Sequence, residues 1–157
     1  RPAFLPPPLV EPFLEVRRLI DFHAPTLEQA VLADFMAEGH YTRHLRRMRT
    51  LYAERRGALL EALAELPLEV HASPVGSHCI GWLPEDIDEA ALAREAVACG
   101  LNLWLVSQYS IEPQPRQGLV LGYGAHSGEE TQEAVRRLGE AMQAVKAERT
   151  AKNIREG

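Results

Sequence analysis

The sequence predicts an α+β fold: a two-layer domain with a mostly antiparallel sheet, helices packed on one face of it, and long helices ahead of it. Three observations carry this. Apolar residues recur at spacings of three and four up to Leu66, the helical period. After Pro67 the pattern turns to alternation in Leu68, Val70 and Ala72, the strand period. From there short strand-like and helix-like stretches follow one another, so the order is three helices, two strands, helix, strand, strand, helix. Strands in that order pair mainly antiparallel and carry helices on one side.

The first helix covers residues 9–20. Prolines 6 to 8 suit its start, because a first-turn proline loses no helical hydrogen bond. Leu9, Phe13, Val16 and Ile20 form its apolar stripe. His23-Ala24-Pro25 breaks it. Thr26 then reads as an N-cap with Gln29 at the capping-box spacing, and Val31, Leu32 and Phe35 form the next apolar face. Gly39 supplies a C-terminal stop. A longer helix over 42–66 places Leu45, Met48, Tyr52, Leu59 and Leu63 on one side and ends at Pro67.

Residues 68–72 and 77–83 read as strands joined by a turn at Pro74-Val75-Gly76. Asp86 or Asp88 caps a helix over 90–99, which Gly100 ends. Residues 101–106 and 118–124 read as strands around a loop with two prolines. Ser127 caps a last helix whose first turn holds Glu129 and Glu130, where the helix dipole favours negative charge. Val135, Leu138, Met142 and Val145 form its buried side. The domain division expected is 1–66 for the N-terminal and interdomain helices, 67–150 for the α+β domain and 151–157 for a frayed tail.

A chain of 157 residues is one domain's worth and long enough to bury a core. Its 17 basic against 22 acidic side chains argue against broad electrostatic DNA binding, which needs a positive footprint. No apolar run reaches the length of a membrane span, and the proline-rich start lacks a signal peptide's design. Cys79 and Cys99 are too few for a disulfide framework, so a reduced cytoplasmic setting is expected. The chain opens on Arg and proline-rich residues, which reads as a piece cut from a longer protein. Lys146 and Lys152 are the only lysines, both near the end of the last helix.

Residues 25–63, PTLEQAVLADFMAEGHYTRHLRRMRTLYAERRGALLEAL, resemble the segment of MocR-type regulators of the GntR family, and of related aminotransferases, that follows their cofactor-binding large domain. His44, Arg47, Arg49, Tyr52, Arg55 and Arg56 carry the match. Weaker matches follow in order: Gly76-Ser77-His78 leading to Leu83-Pro84, then Ser107-Gln108-Tyr109, then Gly118 to Tyr123. The resemblance covers nearly the whole chain. It implies the small domain of a fold-type-I pyridoxal-phosphate protein. In the family the cofactor lysine, the aspartate on the pyridine nitrogen and the DNA-binding domain all lie upstream of such a segment. It therefore implies pyridoxal phosphate in the full-length protein and no cofactor, catalytic residue or enzyme activity in this piece alone. The implied partners are the missing large domain, a second copy in a homodimer, a small amino compound or pyridoxal phosphate as effector, and DNA only through a separate N-terminal domain. The alternative is a fragment of a working aminotransferase.

Aminotransferases of this kind use one small-domain arginine for the substrate carboxylate, because a guanidinium matches a carboxylate bidentately. The resembling strand here has Val120 at that place, which favours a regulator, or an unusual ligand, over a standard aminotransferase. Arg116, a few residues earlier on the loop, is the candidate ligand-carboxylate residue, with Tyr109 and Ser107 at a strand end beside the proline loop. No metal site is expected: His78 and Cys79 are strand neighbours pointing to opposite faces, and His40 with His44 has no further ligand at matching spacing. The arginines between 43 and 56 are interleaved with glutamate and read as a solvated or domain-facing helix side.

Overall fold

Residues 5–20, 22, 25–73, 75–112 and 114–156 are described by a computed structural model, without the side chains of Lys152, Asn153, Arg155 and Glu156. The expected break at His23-Ala24, the first turn residue Pro74 and the loop residue Pro113 lie outside these residues. The chain divides into two compact units, Arg1–Arg47 and Met48–Gly157.

The first unit holds helices α1 (Pro7–Ile20) and α2 (Thr26–Ala37) and the start of α3 (His40–Leu63). The amide of Leu9 bonds the carbonyl of Pro6 at 2.9 Å, so the prolines open α1 as expected. Thr26 is not the N-cap. It is the first helical residue, and Pro25 precedes it with no side-chain cap. The backbone closes that turn, with the Gln29 amide donating to the Pro25 carbonyl at 3.2 Å. Gly39 ends α2 at φ 77°, the left-handed geometry glycine adopts without strain, so α3 begins at His40. None of the described residues of α1 or α2 is buried.

The second unit is the predicted α+β layer pair. It contains the remainder of α3, strands β1 (Glu69–His71) and β2 (His78–Trp82), helix α4 (Glu89–Ala98), strands β3 (Trp104–Leu105) and β4 (Gly118–Gly122), and helix α5 (Gly128–Glu156). The sheet runs β1-β2-β4-β3, and all three pairings are antiparallel. Asp88 caps α4 by accepting from the Ala91 amide at 2.8 Å. Ser127 caps α5 reciprocally: its hydroxyl takes the Glu130 amide, and Glu130 takes the Ser127 amide. The tail expected to fray from 151 continues as helix to Glu156.

Alternation along β2 and β4 sorts the sheet into two faces. Leu119 sits opposite Gly81 and Leu121 opposite Cys79, on the side that carries the helices. Leu119 joins Leu92 and Ala96 of α4 and Leu138, Ala141 and Met142 of α5 in one core cluster. Leu59 and Leu63 of α3 pack with Cys79, Tyr123 and Val135 in a second. The other face carries His78, Ile80 and Trp82 of β2, Val120 of β4 and Trp104 of β3. Gly118 is required there: a Cβ would fall 2.8 Å from the Trp82 ring.

The predicted strand over 101–106 is shorter than expected. Only Trp104 and Leu105 pair with β4, and residues 106–109 turn into a 3₁₀ helix. The Ser110 amide closes that helix onto the Ser107 carbonyl, and the Gln108 side chain folds back to the Leu105 amide.

Candidate functional site

The open sheet face gathers the polar and aromatic residues nearest to a site. Glu69, at the start of the edge strand, sits across from Trp82. Arg116, on the loop before β4, places its guanidinium 5.1 Å above the Trp82 ring. Its two terminal nitrogens donate to the two oxygens of Glu69, at 3.3 and 2.5 Å. His71, two residues along the same strand face, holds Oε1 of Glu69 at 2.7 Å. Arg116 and then His71 hold the Glu69 carboxyl down at about 2. The arginine fork that the sequence offers to a ligand carboxylate is thus engaged by a carboxylate of the chain itself.

Tyr109 and Ser107 do not end a strand. They lie on the 3₁₀ turn, where Tyr109 is exposed and its ring leans against Trp104 at 6.3 Å. No hydrogen bond or ion pair among the described residues joins either to Arg116. Val120 lies in register with Ile80 and Trp104, so this stretch of the face is apolar. Glu69 and Trp82 were not among the sequence candidates. Glu69 lies 47 residues from Arg116, and nothing local marks such a pair.

The other candidates resolve simply. Cys79 is buried, and burial pushes its thiol up, whereas His78 is exposed and meets the Ser77 hydroxyl at 3.0 Å. No group of three potential metal ligands occurs among the described residues. Two of the α3 arginines turn inward, Arg55 to the Gly124 carbonyl and Arg56 to the Ala72 carbonyl. They tie α3 to loops of the second unit and leave those groups unavailable to a phosphate.

The Glu69 pair gives a sharp expectation. Its folded value lies below the ordinary 4.5, so its contribution to folding is complete above about that pH and disappears as the pH falls through about 2. The pair is exposed, so its worth at neutral pH is small and screened by salt. Carbon-detected NMR titration should find Glu69 among the last glutamates to protonate, together with Glu133, which Arg136 and Arg137 hold down in the same way. In Arg116→Ala its midpoint should rise towards the common range, whereas an unmoved midpoint would mean that the pair is absent in solution.

No family model matches the chain. It is 31% identical over 147 residues, 91% of its length, to the probable rhizopine catabolism regulatory protein MocR of Rhizobium meliloti. It is also 31% identical over 85% of its length to the HTH-type transcriptional regulator YhdI of Bacillus subtilis. Among solved structures, the α-aminoadipate aminotransferase LysN of Thermus thermophilus superposes on 92% of this chain with a TM-score of 0.76 and 26% identity. The chain spans 30% and 29% of the lengths of the two regulators and 38% of the aminotransferase.

The antiparallel sheet with α3, α4 and α5 on one side is the small domain of the fold-type-I aminotransferase architecture. Within that class the chain is an aminotransferase-like domain of the kind found in MocR-type regulators.

Proposed function

We propose that the chain is the C-terminal part of the effector-sensing domain of a cytoplasmic transcription regulator. The observation that carries this is the 31% identity to a MocR regulator over 91% of the chain. Val120, at the register position where the resembling aminotransferase strand has an arginine, points the same way. In this reading the whole protein binds pyridoxal phosphate through a large domain, senses it or a small amino compound, and binds DNA through a helix-turn-helix domain as a homodimer. Ser107, Tyr109 and Arg116 would meet the effector, and Arg116 would do so only by releasing Glu69. The second reading, a piece of a working aminotransferase, is favoured by the likeness to LysN.

The test uses the complete polypeptide. Sequence-selective DNA binding whose affinity changes with pyridoxal phosphate and an amine supports the regulator. Steady turnover of an amino donor without DNA binding would replace it with the enzyme.

Among the described residues, no side chain fits the attachment of pyridoxal phosphate. The cofactor's attachment requires a free lysine amine held at its ring, and Lys146 is ion-paired with Asp86 at 2.9 Å on the surface. The Lys152 side chain lies outside the described residues, on the last turns of α5. After incubation with pyridoxal phosphate and borohydride, the chain should show only weak, scattered label. A stoichiometric adduct mapping to one lysine would contradict the assignment of the cofactor to another part of the protein.

A further inference from the structure

β3 pairs with β4 only through Trp104 with Val120 and Leu105 with Leu119. On the far side of that pairing, residues 100–103 leave the sheet while β4 continues to Gly122. An open cleft of about 860 Å³ lies between the two stretches. Its floor is Leu59 of α3 with Val135 and Leu138 of α5, and Leu103 and Leu121 stand at its sides. Ser107, Tyr109 and Arg116 do not line it.

The cleft also has a polar edge. The Leu83 amide donates to Gln117 and the Tyr123 amide to Ser77, at 2.9 and 3.0 Å. Residues 117 to 123 alternate in direction, so the odd-numbered ones face β2 and Gly122 faces the cleft. Its N–H and C=O have no hydrogen-bond partner among the described residues. Asn102, which also lines the cleft, presents a carboxamide with no partner among them either. An exposed donor and acceptor on one strand residue complement an amide group, as in strand addition, and the volume is that of a small-molecule site.

We propose that this cleft binds small ligands that carry a secondary amide beside an apolar substituent, the chemistry of an N-acylated apolar amino acid amide. The amide pairs with Gly122 at the β4 edge. The substituent enters the gap over Leu59, Val135 and Leu138, removing apolar surface from water. The two features act together: an apolar group without the amide leaves Gly122 unpaired at the point where water is excluded.

N-acetyl-L-leucine N-methylamide is the probe, titrated into the ¹⁵N-labelled chain. Saturable shifts are expected at residues 121–123 and 134–138, with a dissociation constant on the order of 1 mM. N-acetylglycine N-methylamide, which lacks the side chain, should bind at least about tenfold more weakly. Ala134→Trp fills the cleft and should abolish the shifts. Gly122→Pro removes the donor on a side of β4 that bonds no strand there, where proline is tolerated, and should weaken binding up to about tenfold, the loss of one hydrogen bond. Circular dichroism establishes that each variant folds; if one does not, the other variant and the glycine probe decide. The proposal is overturned if wild-type shifts do not saturate or map elsewhere, or if the folded variants and the glycine probe bind as the wild type binds leucine amide.

Discussion

Leu92→Ala is expected to lower the unfolding free energy by about 2–5 kcal/mol, the range for truncating a fully buried leucine. Leu92 has no exposed surface and lies in the cluster where α4 and α5 meet the sheet. Truncation there removes transfer free energy and leaves a cavity that the strand and two helices on its sides cannot close. Val97, on the same helix, is 62% exposed, and Val97→Ala should stay within about 0.5 kcal/mol of wild type. Urea titration of both variants separates burial from helix propensity, since valine to alanine slightly favours a helix. Equal midpoints for the two would show that α4 does not close the core of the second unit.

The contrast between those two residues also shows what the sequence could reveal. Helix identity was legible because burial imposes a period: Leu59, Leu63, Val135, Leu138, Met142 and Val145 of α3 and α5 are buried, with Thr131 and Ala141 beside them, whereas Leu45, Met48 and Tyr52, on the expected α3 face, are only half-buried. The same logic misread residues 101–106. Leu101, Leu103 and Leu105 alternate because all three lean on the core cluster. Alternation reports which face is buried, and it does not report whether a neighbouring strand is close enough to bond. Here the neighbour parts from the chain before Trp104, and that gap became the cleft. The Thr26 capping box failed for a related reason: a side chain that matches a motif has to compete with a backbone carbonyl, and Pro25 supplies one.

The candidate site was legible in part. Arg116 was singled out for the geometry of its guanidinium, which the structure uses on Glu69. The choice of partner depends on β1 lying beside β2, a long-range pairing that no local pattern encodes. The same holds for Gly122, whose free backbone groups follow from the register of three strands and not from its own neighbours.

Sedimentation of the chain should show reversible self-association through the first unit. Along α1 and α2, Leu19, Ile20 and Leu27 are 74% exposed or more, and Phe13, Val31 and Phe35 are all exposed. Apolar stripes of this kind are unusual on an isolated surface. A few hundred Å² removed from water stabilises association by roughly 5–10 kcal/mol at about 25 cal/mol per Å², against an ordering cost of about 4–15 kcal/mol. The two terms are of comparable size, so the association expected is weak and depends on concentration. A second copy is the occupant that this chain itself supplies; in the proposed regulator the large domain would ordinarily cover such faces, so this dimer need not resemble that of the whole protein. Phe13→Asp and Phe35→Asp each put a charge into the apolar surface and should shift the association midpoint at least about tenfold in concentration, the equivalent of 1.4 kcal/mol. Both side chains are exposed, so the fold of the second unit should be unaffected, as urea titration would show. A wild-type chain that stays monomeric at high concentration, or two variants that associate as it does, would mean that these helices are not the contact.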